Sequence, residues 1–313
     1  MRPIIAVPIT LLLIIRSYTR RSLTIPGILT AALTATIHAL HPSALPFTLL
    51  CVFFLLGTTA TKVKHEVKAK LTLSSSGSSG GNGPRTSIQV LANSGCASIL
   101  CAVHLWLYGY GSLPARSKGG SKQDNIPDVL LLGIMANYAA VTADTLSSEL
   151  GILSNSQPVL VTHPWRVVPE GTNGGVTLAG LLAGAAGGAA IAATSVLFLT
   201  FSTGPTLNIV RTFLALTVLG AMGTLLDSLL GAILQASVVD RRTGKIIEGR
   251  GGARVLVKSK SKPQTQSQEH ARTDSGEESR LVNSGTDILD NNQINLLMAS
   301  IVSVTGMAVG NLL

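Results

Sequence analysis

Eight apolar runs, separated by polar connections, organise the chain; they cover residues 4–15, 23–40, 45–60, 88–110, 129–150, 176–201, 207–234 and 294–313. Most approach the 20 or so residues that a helix needs to cross a bilayer core. The pair His41-Pro42 marks a turn between the second and third runs, and Ser202-Thr203-Gly204-Pro205 a tight reversal between the sixth and seventh. The pattern predicts an all-α, polytopic transmembrane helix bundle of seven or eight spans, built as one integral membrane domain over residues 1–313. The first run is short, contains Pro8 and follows Arg2, and no acidic residue precedes Glu66. These features suit a signal peptide or an organellar presequence, but no clean small-residue cleavage site follows, which favours a persistent signal anchor.

Composition supports a lipid setting. Charged residues make up 12% of the chain and hydrophobic ones 46%, whereas a soluble domain carries about 25% charged residues. The 32 glycines and the scarcity of aromatics, 4%, suit helices that approach through small side chains. A net charge of +9 raises the question of nucleic acid, but the basic residues sit between apolar runs, so no nucleic-acid partner is expected. If all eight runs cross, 19 Lys and Arg residues fall on one side, among them Arg16, Arg20, Arg21, Lys62, Lys64, Lys68, Lys70, Arg85 and Arg166, against 4 on the other. The positive-inside rule assigns the rich side to the cytosol or its organellar equivalent; the membrane itself is ER-like or organellar. Cys51, Cys96 and Cys101 lie in apolar runs and read as small core residues, and His65, His104 and His163 read as incidental. Residues 74–83 are Ser/Gly-rich and read as a flexible linker, and 258–284 as a disordered polar loop.

Against this background the intramembrane acids stand out. A carboxylate at the centre of a membrane helix costs about 2.5–3.5 kcal/mol, while a leucine returns only about 0.3–0.6. Asp144 and Glu149 share the fifth run and Asp227 lies in the seventh. Helical phase puts Asn137, Asp144, Ser148 and Gly151 on one face, and Gly220, Thr224, Asp227 and Gly231 on another, with Ser228 and Gln235 beside it. The plainer reading is that such residues only cap or pair near helix ends. Alternation of the spans adds to the case. It brings Asp144 and Glu149, the loop Gly171-Thr172-Asn173-Gly174-Gly175, Asp227, and Asp290-Asn291-Asn292 to one membrane face. A glycine-rich helix start offers backbone N–H groups to an anion, and carboxylates beside Ser and Asn oxygens suit Mg²⁺ with substrate phosphates. No P-loop, metalloprotease or nucleophile-elbow motif is present.

The motifs then match a known pattern. Ala143-Asp144-Thr145-Leu146-Ser147-Ser148-Glu149-Leu150-Gly151, Val168-Pro169-Glu170-Gly171-Thr172-Asn173-Gly174-Gly175-Val176-Thr177, Leu226-Asp227-Ser228-Leu229-Leu230-Gly231 through Gln235, and Leu289-Asp290-Asn291-Asn292 through Asn295 resemble, in order, signatures of the transmembrane protein 19 family. Gly80-Gly81, Arg85, Gln89-Val90 and Asn93 fit a weaker element, and Leu146 stands where a Trp is common. A plastid branch of that family phosphorylates phytyl phosphate. The resemblance therefore implies a kinase acting on a prenyl or phytyl monophosphate, with CTP or ATP as donor. It implies that Asp144, Glu149 and Asp227 are catalytic and hold Mg²⁺, and that Gly171, Thr172, Asn173, Gly174 and Gly175 cradle phosphate. Asn137, Ser148, Ser228, Gln235, Asp290, Asn291, Asn292 and Asn295 would support them. A transporter using the buried acids, and a structural or regulatory membrane protein without turnover, stay open as alternatives.

Overall fold

The computed structural model describes residues 2–74, 83–109, 126–203, 209–248 and 280–309. The apolar runs become helices α1 (Pro3–Thr19), α2 (Ile25–Leu40), α3 (Leu45–Lys62), α5 (Ser87–Tyr108), α6 (Ile126–Gly151), α7 (Leu178–Thr203), α8 (Ile209–Leu234) and α9 (Asn291–Val309), with a short helix α4 (His65–Leu71) after α3. Among the described residues, six helices, α3 and α5 to α9, are long and apolar enough to cross a membrane. The apolar helices α1 and α2 are shorter, at 17 and 16 residues. Prolines open α1, α2 and α3 at the first or second helical position, where the missing N–H costs nothing.

Helix α6 is the axis of the bundle. It packs against α3, α5, α7, α8 and α9, and every residue from Ile134 to Ala143 is buried. A helix apolar all round belongs inside the protein, and this one is sheathed by its neighbours. Close approach depends on small residues: a Cβ on Gly220 of α8 would lie 2.8 Å from the Gly188 Cα of α7. Outward-facing apolar side chains, such as Leu29, Leu33, Leu182, Val210 and Leu214, remain more than half exposed. Apolar exposure on this scale has lipid as its natural solvent. The three cysteines are free thiols in or against this core, as read from the sequence.

Short strands gather where α3, α6 and α8 end. β1 (Leu73–Ser74) pairs in parallel with β6 (Ile247–Glu248); β2 (Val159–Leu160) lies between β3 (His163–Val167) and β4 (Gly175–Val176); β5 (Ser237–Asp240) pairs antiparallel with β7 (Arg280–Ser284). The stretch 258–284, expected to be disordered, thus ends in an ordered strand, because β5 offers its edge directly after α8. Likewise Ser74 of the expected 74–83 linker belongs to β1. Residues 75–82 and 258–279, and Gly204-Pro205 of the expected reversal, lie outside the described residues. After β7 the chain folds back on the end of α8, where the Thr286 and Leu289 N–H groups donate to the Ile233 and Leu234 carbonyls at 3.1 and 2.9 Å.

Candidate functional site

A cavity of about 630 Å³ opens at this end of the bundle. It is lined by Asp144, Ser148 and Glu149 from the last turns of α6, by the Gly171–Gly175 loop, by Asp227, Ser228 and Gln235 from α8, and by Asp290, Asn291 and Asn292 at the start of α9. The four separate motifs therefore meet, as alternation of the spans predicts. Two expected members stand elsewhere. Asn137, about two turns deeper on α6, donates through Nδ2 to the Asn93 carbonyl at 3.0 Å and ties α6 to α5. Asn295 stands behind the wall: with its amide turned to satisfy its neighbours, Nδ2 donates to Asp227 Oδ1 at 3.1 Å and to the Asn291 carbonyl at 2.9 Å. Asp290 is largely occupied as a helix cap, since its Oδ1 accepts from Gln293 N at 3.0 Å while Gln293 Oε1 accepts from Asp290 N at 2.8 Å.

The Asp144 and Asp227 carboxyl groups face each other closely across the α6–α8 interface in this cavity. Two carboxylates in such contact repel unless a proton or a cation lies between them. This pair, with the Asn and Ser oxygens nearby, fits a hard cation that completes its shell with substrate phosphate and water. The expected three-carboxylate set does not form: no cluster of three potential ligands occurs among the described residues. Glu149 is turned away because five residues of helix rotate by about 140°. Its Oε2 lies 2.5 Å from Lys68 Nζ, and its Oε1 accepts from Thr61 Oγ1 at 2.9 Å.

The glycine loop is tighter than the open cradle expected from its sequence. Thr172 N donates to the Pro169 carbonyl, Asn173 N to Ser237 Oγ and Gly175 N to the Thr172 carbonyl, at 3.2, 3.0 and 2.9 Å. Of the loop's five N–H groups, those of Gly171 and Gly174 have no hydrogen-bond partner among the described residues. Strand β4 separates the loop from α7, whose own N-terminus reaches the cavity through Thr177 and Gly180, with Thr177 Oγ1 accepting from Gly180 N at 3.1 Å. Gly174 has φ +76°, and a Cβ there would lie 2.6 Å from the Ser228 carbonyl oxygen. The left-handed backbone alone costs another residue about 1–2 kcal/mol, and the clash adds to it. Gly174→Ala is expected to lower the melting temperature in detergent by several degrees; an unchanged melt would show that the loop does not seat on α8.

Lys68 and Thr61 complete the wall of this cavity, and Arg85 stands behind Thr61 outside it; all three carry little signal in the sequence. Lys68, on α4, reaches back to Glu149 and also donates to the Ala60 and Thr61 carbonyls at 3.0 and 2.9 Å. Arg85 Nη2 donates to Thr61 Oγ1 at 3.1 Å. Burial draws the Arg85 guanidinium below its ordinary pKa, and the Glu149 carboxylate pulls it back. Arg85 did appear in the weaker motif element, which was the one clue to it. Lys68 read only as loop charge.

Comparison with known proteins places the chain. Residues 8–303 match the family described as integral membrane protein DUF92. Protein PGR of Arabidopsis thaliana is 35% identical over 307 residues, covering 96% of this chain and 94% of that protein. Uncharacterized membrane protein MJ0933 of Methanocaldococcus jannaschii is 34% identical over 187 residues, 60% of this chain and 64% of its own. Protein VTE6, chloroplastic, of Arabidopsis thaliana is 30% identical over 158 residues, half of this chain and 42% of that one. No solved structure matches. Both the near-complete match and the lipid-facing bundle of apolar helices lead to one statement: this multi-pass membrane protein belongs to the integral membrane protein DUF92 family.

Proposed function

We propose that the protein is a prenyl-phosphate kinase, moving the terminal phosphoryl group of CTP or ATP onto a prenyl or phytyl-type monophosphate at the membrane face. The observation that carries this reading is the meeting of the Asp144–Asp227 pair with the Gly171–Gly175 loop and the start of α7 in one cavity at the bundle's end. The resemblance of the four motifs to the transmembrane protein 19 family, with its plastid branch acting on phytyl phosphate, supports the substrate class.

In the transfer, a phosphate oxygen of the lipid bonds to the terminal phosphorus. The bond from that phosphorus to the bridging oxygen breaks, and nucleoside diphosphate leaves. Such a reaction needs positioning and charge compensation more than covalent help. Mg²⁺, if held by Asp144 and Asp227, would supply neutralisation of the nucleotide phosphates. Asn295 fixes the orientation of the Asp227 carboxylate by its 3.1 Å hydrogen bond, as outer residues do around metal ligands. The Gly171 and Gly174 amides and the positive end of α7 line the same cavity and would offer N–H groups to those phosphates.

Purified protein in detergent, given Mg²⁺, labelled CTP or ATP and farnesyl, geranylgeranyl or phytyl monophosphate, is expected to place label in the lipid diphosphate. Chelation by EDTA should abolish the transfer. No label with any donor and acceptor pair would overturn the proposal, and uptake of solutes by proteoliposomes would point to a carrier instead.

A further inference from the structure

Beside the large cavity lies a smaller one of about 210 Å³ whose lining includes Arg20, Arg21, Thr58, Thr61, Lys62 and Arg85. The two share Thr61, His65, Gln89 and Glu149 in their walls, so they adjoin. Among the described residues Glu149 is the single acid in the smaller lining, and its Oε2 is already paired with Lys68. Four cationic side chains therefore line a space with a single negative charge, which Lys68 shares with Arg85.

Arg85 is held ready in this pocket. Its backbone is fixed to the α1–α2 connection, with Arg85 N donating to the Ser22 carbonyl and Thr24 N to the Arg85 carbonyl, both at 3.0 Å. Its guanidinium lies over Gly57 of α3, where a Cβ would come within 3.3 Å of Nη2. Of five N–H donors, Thr61 takes one, and no carboxylate forms an ion pair with Arg85 among the described residues. An Arg with its fork unspent is suited to two-point binding of phosphate. Arg21 is placed at some cost, since its φ of +47° is a conformation that side chains other than glycine rarely adopt. Part of the lining, Arg20 to Ser22, is the connection between α1 and α2, and the helices it joins carry the exposed apolar side chains Ile15, Tyr18, Ile25 and Leu29.

We infer that this basic pocket receives the phosphate of the acceptor, a prenyl monophosphate whose chain lies along the apolar faces of α1 and α2, while the nucleotide occupies the larger cavity. The inference rests on the kinase reading of that cavity. A phosphate with a hydrocarbon tail fits a cationic pocket at a lipid-facing rim, whereas the nucleotide's phosphates meet the aspartates and glycine loop next door.

The test is equilibrium binding of farnesyl monophosphate to the full-length protein in detergent, with farnesol, inorganic phosphate and CTP or ATP as comparisons. Arg85→Gln and Arg21→Gly are each expected to raise the Kd for farnesyl monophosphate about tenfold or more. Neither should change farnesol or nucleotide binding. Arg21→Gly removes the charge from a backbone that glycine favours, so its effect cannot be assigned to unfolding. Unchanged Kd in both variants, no binding by the wild type, or displacement by equimolar inorganic phosphate would each overturn the pocket. Binding through Arg21 and Arg85 without label transfer would overturn the kinase and leave the pocket. Label transfer with an unchanged acceptor KM in both variants would do the reverse.

Discussion

Asp144→Asn and Asp227→Asn are each expected to lower the rate of label transfer by about 10²–10³-fold, the scale of losing one preorganised charge-stabilising group. Asparagine keeps the shape of aspartate and can hydrogen-bond the carboxylate it faces across the α6–α8 interface. The variants should therefore insert, purify as single species and melt near the wild type. On the proposed kinase reading, what they lose is the negative charge that would hold a cation against the substrate phosphates. Because the two carboxylates act as one unit, the double variant should be little slower than either single one. Wild-type rates from both single variants would sink the assignment of this pair.

Lys68→Met is expected to cost stability and not only activity. The side chains of Lys68 and Glu149 are 9% and 15% exposed, so this is a buried pair and not a surface one. Removing one member strands the other charge, which costs about 3–5 kcal/mol. Lys68 also supplies hydrogen bonds to the Ala60 and Thr61 carbonyls at the end of α3, and these would go too. The double variant Lys68→Met/Glu149→Met should recover most of the loss, because no buried charge is then left unpaired. Thermal melts of the four proteins form a double-mutant cycle. Equal melting of Lys68→Met and the wild type would show that Glu149 finds other compensation.

The helices were legible because a bilayer imposes a length on apolar segments and the loops must carry the polar residues. Their ends were less so. α9 begins at Asn291, three residues before the apolar run, because the Asp290–Gln293 cap starts it in polar sequence. α7 begins at Leu178, two residues late, because Gly175-Val176 pairs as a strand. Strands of two to five residues have too few positions for a period of two to be read. Convergence of the four motifs followed from counting crossings. Which acids belong together did not: Asp144 and Glu149 are near in sequence, yet helical rotation sends one to Asp227 and the other to Lys68. A partner 81 residues away leaves no local pattern, so Lys68 looked like any other loop charge. The glycine loop was found by its composition, but only its backbone path reveals how many amides it spends on itself.

The ladder between β5 and β7 means that the polypeptide leaves the bundle and returns to it through adjoining stems. Between those stems, β6 pairs with β1, Ile246 bridges to Val239, and Ile246 and Ile247 enter the wall of the cavity. One wall of the candidate site is thus carried by extended chain tied at both flanks, and not by any helix.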